Sequence, residues 1–286
     1  FDVVKQVVSY ARSKEKEYNK NFRFTITTNG LLLTDDKIEF INREMSNCVL
    51  SLDGRKEVND RLRIKINGKG CYNQIVPQYQ KLVAGRGDKD YYARGTFTKY
   101  NLDFTQDVLH MADLGFDQVS VEPVVSDPML DYSIKEEDLP RVFQEYETLA
   151  NELIQRKKKR ERDLNFFHFM IDLNQGPCAI KRLRGCGCGN EYVAVTPDGE
   201  IYPCHQFVGN PEWKMGDLND GSFNMDMKLR FAKSNVYSKH DCKSCWAKVL
   251  LQPGGVTQIP GSMKEIFLSL IKSLVISRKS VWNVLL

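Results

Sequence analysis

From Phe22 onward the chain alternates short apolar stretches with segments of helical spacing. "FRFTITTNG" (22–30) is rich in β-branched residues and closes on Asn-Gly, which predicts a strand running into a turn. "DDKIEFINREM" (35–45) carries its apolar residues at helical spacing. "NCVLSLDG" (47–54) repeats the strand and its glycine turn, and "YNQIVPQYQKLVAG" (72–85) predicts a helix stopped by glycine despite Pro77. "DYYARGTFTKYN" (90–101), "FTQDVLHMADLGF" (104–116) and "DQVSVEPVVS" (117–126) predict strand, helix and strand. An amphipathic helix pattern, 1–20, precedes them. Four strand–loop–helix repeats imply a parallel sheet with helices outside, doubly wound or part of a barrel. Functional groups then gather at the strands' carboxyl ends, here Thr28-Asn29-Gly30, Ser51-Leu52-Asp53-Gly54, Thr96-Phe97-Thr98 and Glu122-Pro123-Val124. Turn chemistry accounts for the same residues equally well.

The pattern then changes. Residues 133–162 form one long charged helical stretch, with Ser133 and Glu136 placed as a capping box, and "FFHFMIDL" (166–173) predicts a further strand. Beyond it "GPCAIKRLRGCGCGNEYVAVTPDGEIYPCHQF" (176–207) is dense in glycine and cysteine, with a hairpin signal at Pro197-Asp198-Gly199. The domain boundary is placed near residues 170 to 177.

Composition narrows the function classes. An apolar fraction of 42% suits a globular chain, and a net charge of +4 is too small for a dedicated nucleic-acid binder. The basic run Arg156–Asp163 fits a solvated helix end. No signal-peptide pattern opens the sequence, and no apolar run reaches the about 18 residues of a membrane span, so a reducing cytoplasm and no membrane partner are expected. Of eight cysteines, Cys178, Cys186, Cys188, Cys204, Cys242 and Cys245 cluster. Clustered thiols without export suggest metal before disulfide. The 191–204 hairpin returns Cys204 toward Cys186 and Cys188, so a shared site is physically reasonable. Zinc and iron–sulfur clusters both suit thiolates, and the residues alone leave them open. Cys48 and Cys71 lie apart and are expected to be plain thiols. His168, on an apolar strand, is expected to pack, and His205 follows a site cysteine.

Gly199-x4-Cys204 followed by the distant Cys242-x2-Cys245 resembles the SPASM extension of radical S-adenosylmethionine (SAM) enzymes. The wording of 176–209 is similar to maturases of SCIFF peptides, which form sulfur-to-carbon thioether crosslinks. "TTNG", "LSLDG", "RGTFT" and "SVEPV" resemble that family's barrel strands after the second. The resemblance implies an α/β fold: a partial (β/α)6 radical-SAM barrel lacking its first strands (1–172), then a small cysteine-rich SPASM-type α+β domain (173–248). It implies auxiliary [4Fe–4S] clusters, the first served by Cys178, Cys186 and Cys204 and the second begun by Cys242 and Cys245, with Cys188 an unsettled neighbour of Cys186. It implies S-adenosylmethionine near Asn29, Ser51 and Arg94, with 121–124 near the adenine. The partners implied are a small cysteine-rich precursor peptide and a reductant protein. Other SPASM maturases, of the sulfatase-activating or quinone-cofactor type, share the pattern, and a zinc-binding module is the reading from another class.

Two departures stand out. The three-cysteine loop of the SAM-cleaving cluster is not in this sequence, so the chain is expected to be the carboxyl-terminal part of a longer enzyme and inactive by itself. Residues 249–286 do not resemble the family. Synonymous codons there permit a neighbouring frame that restores the family's later cysteines, so this tail is expected to be an out-of-frame translation. The rival expectation is a real amphipathic helix in 263–286.

Overall fold

Alternation between β-branched stretches and amphipathic ones gives strands whose two faces differ. The computed structural model describes residues 1–124, 126, 129–170, 186–235 and 237–238. They belong to two units, one over 1–124 and 131–170 and another holding the residues from 186 onward. Cys178, Cys242, Cys245 and the 249–286 tail lie outside the described residues.

The first unit opens with α1 (Asp2–Tyr18) and continues β1 (Phe24–Thr28), α2 (Asp35–Glu44), β2 (Met45–Ser51), α3 (Lys56–Leu62), α4 (Tyr72–Ala84), β3 (Asp90–Phe97), α5 (Thr105–Asp113), β4 (Gln118–Pro123), α6 (Leu139–Lys158) and β5 (Asn165–Phe166). All strand pairs are parallel, in the order β1-β2-β3-β4-β5. Cys48, Leu50, Ala93, Phe97, Val119 and Val121 form the buried face, in a core with Ile41, Ile75, Tyr79, Leu82, Val108, Met111 and Leu149 from α2, α4, α5 and α6. Each fully buried side chain of this size contributes roughly 1.5–3 kcal/mol. Of the alternate positions, Thr25, Thr27, Arg94, Thr96 and Glu122 are exposed or half-buried, and Ser120 is buried. One face is thus a core and the other is polar.

Three expectations are revised. The long helix does not start at Ser133: a 3₁₀ turn over Glu136–Asp138 comes first, and α6 begins at Leu139 with Pro140 in its first turn. Proline fixes φ and lacks an N–H, so it seats naturally at a helix start. Of the stretch 166–173 the described residues, 166–170, hold the end of the two-residue β5 and then a 3₁₀ turn over Phe167–Phe169. Helix α3 went unpredicted, having few apolar residues to set a period.

The second unit is built on a four-stranded antiparallel sheet, β6 (Ala194–Val195), β7 (Glu200–Tyr202), β8 (Gly216–Asp217) and β9 (Ser222–Phe223), followed by α7 (Met225–Ala232). The β6–β7 turn is the expected Pro197-Asp198-Gly199 hairpin, with Gly199 at φ 92°, a conformation that favours glycine. Its buried cluster is small: Cys188, Tyr202, Cys204, Phe207, Trp213 and Phe231.

Candidate functional site: a polar sheet edge and a thiol cluster

Parallel pairing fixes which side chains stand abreast. Ser51 is the register partner of Arg94, and Arg94 of Ser120, so the three form one row across β2, β3 and β4. Thr28 is paired with Leu50, which sets Asn29 at the β1 end of the same row. Asn29, Ser51 and Arg94, scattered through the sequence, are therefore brought together at the carboxyl side of the sheet. The Asn29 side-chain oxygen accepts the Leu31 N–H at 3.2 Å, which commits it to the turn and leaves the amide nitrogen as a donor. Ser51 is half-buried.

Arg94 is engaged by a carboxylate of the sheet. Its Nε and Nη2 donate to Glu122 at 3.2 and 2.8 Å. Glu122 also accepts from the Ser120 hydroxyl at 3.2 Å. Burial alone would raise the Glu122 carboxyl; the Arg94 guanidinium outweighs this, with help from the nearby His168, and holds it below its ordinary value. His168 does not merely pack: it follows β5 at the same end of the sheet, and its Nδ1 lies 3.0 Å from the hydroxyl of buried Tyr146. Of 121–124, Val121 faces the core, and the Val124 N–H donates to the Phe97 carbonyl.

The strand ends are pinned from beneath. The Tyr79 hydroxyl reaches the carbonyls of Thr28 (3.0 Å) and Ser51 (3.2 Å). Gly30, at φ 75°, lies against this ring, and a Cβ there would stand 2.6 Å from it. Asp53 accepts a two-pronged pair from Arg63 (2.7 and 2.8 Å) and the Thr96 N–H (2.9 Å), tying the exits of β2 and β3. Arg55 is clamped by Asp103 and by fully buried Asp107. A pocket of ≈ 290 Å³ opens beside these groups, lined by Asp53, Arg55, Arg61, Thr96 and Tyr100. Arg61 stacks 3.5 Å over the Tyr100 ring. Asp53 and Thr96 were named in the sequence as strand-end residues, whereas Tyr79, Arg55, Arg63, Asp103 and Asp107 were missed, because their partners lie far away in the chain.

In the second unit, Gly187 and Gly189 adopt φ 76° and 72°. Such a Cys-Gly-Cys-Gly turn needs residues free of Cβ strain. The Gly189 N–H is shared by the Tyr192 and Pro203 carbonyls (2.9 and 3.0 Å), which lays the turn against the strand leading to Cys204. Cys186, Cys188 and Cys204 meet there: Cys188 is hydrogen-bonded to both other thiols. Cys204 is held down at about 7, first by the bond from Cys188 and then, against burial, by the Gln206 N–H, with a smaller contribution from that of Phe207. Cys188 is pushed up by the two neighbouring sulfurs and by burial. Cys186 is exposed and accepts from the Tyr192 hydroxyl at 3.9 Å. His205 is exposed at the start of the turn after Cys204. Cys48 and Cys71 are both buried, and Cys48 is pushed up to about 12 by burial, as inert core thiols are.

Among the described residues no three such side chains already enclose a metal position. The donor chemistry nevertheless fits an iron–sulfur cluster: converging thiols, one of them acidified, backbone N–H groups aimed at sulfur, and an apolar wall of Phe207, Trp213 and Phe231. Cys186, Cys188 and Cys204 are the described residues that would hold it.

Residues 186–246 match the SPASM family model, described as an iron-sulfur cluster-binding domain. The chain is 25% identical over 264 residues to a cysteine-type anaerobic sulfatase-maturating enzyme of Clostridium novyi (strain NT), covering 85% of this chain and 66% of that one. It is 22% identical over 292 residues to one from Clostridium perfringens (strain 13 / Type A), covering 90% and 71%. A solved structure described as native anSMEcpe with bound AdoMet and Kp18Cys peptide superposes with a TM-score of 0.73 at 16% identity, covering 99% of this chain and 81% of that one. The chain thus spans just under two thirds of the length of the C. novyi relative. The chain carries a SPASM-type iron–sulfur cluster-binding domain over 186–246 and shares its overall fold with a solved structure that holds AdoMet and a peptide. Among the described residues no helix is long and apolar enough to cross a membrane.

Proposed function

We propose that the chain belongs to a radical SAM maturase that forms a sulfur-to-carbon thioether in a cysteine-rich precursor peptide. The observation that carries this reading is the gathering of Cys186, Cys188 and Cys204, the first two on one glycine turn, in wording similar to the SCIFF maturases. S-Adenosylmethionine, when bound beside a reduced cluster, supplies a carbon radical that takes hydrogen atoms from unactivated carbon. The chain's own residues bind and orient. Arg94 receives the methionine carboxylate through charge-assisted hydrogen bonds, Asn29 offers its amide N–H and Ser51 its hydroxyl. Tyr79 and Asp53 hold the strand ends on which those groups stand. In the peptide a hydrogen atom leaves carbon, a proton leaves sulfur, one electron passes to an acceptor and a sulfur–carbon bond forms. A reductant protein is the expected source of the starting electron.

The relatives named for sulfatase maturation favour a second reading, oxidation of a peptide cysteine with loss of its sulfur. Mass spectrometry of the candidate precursor peptide after anaerobic turnover with the complete, cluster-loaded protein separates the two. Loss of two hydrogens with sulfur retained and a thiol blocked from alkylation supports the thioether. Exchange of sulfur for a water-derived oxygen together with loss of two hydrogens, leaving an aldehyde in place of the thiol, supports the second reading. An unchanged peptide, in a preparation that cleaves S-adenosylmethionine, removes both.

A further inference from the structure

Arginine carries five N–H donors along two usable edges. At Arg94 the side-on edge, Nε with one hydrogen of Nη2, is committed to Glu122. No hydrogen bond of the described residues uses Nη1, so the end-on edge, Nη1 with the second hydrogen of Nη2, stays open for a planar two-oxygen acceptor. The side chain is half exposed, at 51%, and a free arginine there would sample many rotamers.

We propose that Glu122 is the positioning residue for Arg94: by taking the side-on edge it presents the end-on edge to the carboxylate of an S-adenosylmethionine-class ligand. This rests on the reading of Arg94 given above. Glu122 is itself fixed. It accepts from Ser120, which is 3% exposed two residues earlier on β4. His168 is near enough for its charge to act on Glu122, and its ring lies 3.0 Å from the hydroxyl of Tyr146 of α6. The order runs from a core tyrosine to an open guanidinium edge. A carboxylate in this place can do one of two things: hold the arginine ready, or compete with the ligand for it. The two roles predict opposite signs. An orienting Glu122 lowers the entropy lost on binding, so its removal weakens the ligand; a competing one, when removed, tightens it.

Calorimetry under anaerobic conditions on the complete, cluster-loaded protein reads the sign. The probes are S-adenosylhomocysteine, which has the carboxylate, and 5′-methylthioadenosine, which lacks it. Glu122→Ala should weaken S-adenosylhomocysteine about tenfold and Glu122→Gln, which keeps one acceptor, about threefold. Methylthioadenosine should stay within about twofold for both, which also reports that the site is folded. Tighter or unchanged S-adenosylhomocysteine binding overturns the proposal, as does equal weakening of both probes, the mark of a structural role. If Glu122→Ala fails to bind methylthioadenosine through misfolding, Glu122→Gln carries the test. Arg94→Gln is the separate arm: if it leaves the preference between probes intact, the reading of Arg94 falls. A lost preference there with silent Glu122 variants removes only the positioning role.

Discussion

In the parallel-sheet unit the candidate ligand residues stand on an open polar face, while Tyr79, Phe97, Phe104 and Leu149 fill a core elsewhere. In the thiol-bearing unit two candidate ligands, Cys188 and Cys204, are themselves members of a six-residue buried cluster. The first unit can therefore fold without its ligand and wait. The second has so little apolar area that metal binding and folding become one equilibrium. What separates them is whether the site residues are also the core.

The sharpest way to break this contrast is to withhold iron and sulfide. Residues 186–235 should then lose nearly all hydrogen-exchange protection while β1 to β4 keep theirs; equal protection in both would end the comparison. Next in size is Asp107→Ala. It strips a fully buried carboxylate from Arg55, and urea unfolding of the sheet unit should show a loss of about 3 kcal/mol, the low end for a broken buried pair, because Asp103 still meets Arg55. Tyr79→Phe removes one hydroxyl shared by two carbonyls and should cost about 1 kcal/mol in the same assay. Asn29→Ala and Ser51→Ala should change stability by no more than about 0.5 kcal/mol, while lowering S-adenosylhomocysteine affinity. The smallest effect is one of pH. The Glu122 carboxyl titrates below its ordinary value of 4.5, so the native state binds its proton less readily than the unfolded chain. Its contribution is full above that value and lost as pH falls through the lower folded one. With Arg94 half exposed the change should be under about 1 kcal/mol, visible as an acid-side difference between the parent and Glu122→Gln.

Period and turn residues made the four long strands, α2, α4, α5 and the 197–199 hairpin legible, because alternation, helical spacing and glycine turns are written in consecutive residues. The start of α6 was not, since Ser133 and Glu136 mimic a capping box while Pro140 fixes the true first turn. Asn29, Ser51 and Arg94 were named from motif wording, but their common row is a matter of strand register, which no local signal encodes. The same is true of Glu122 and His168, on β4 and after β5: their charges become neighbours only when those strands pair. The three thiols were legible as a group because the hairpin that joins them is short.

One hydroxyl proton on Tyr79 serves the carbonyl oxygens closing β1 and β2. It can lie fully along one of these bonds or be divided between them, but it cannot satisfy both at full strength. The joint therefore behaves as a sliding coupling rather than a rivet: the two strand ends can shift by a few tenths of an ångström against each other while the proton moves between them and no polar group is stranded. Compliance of this kind, at Thr28 next to Asn29 and at Ser51 itself, gives the mouth of the sheet a small range of adjustment to whatever it grips.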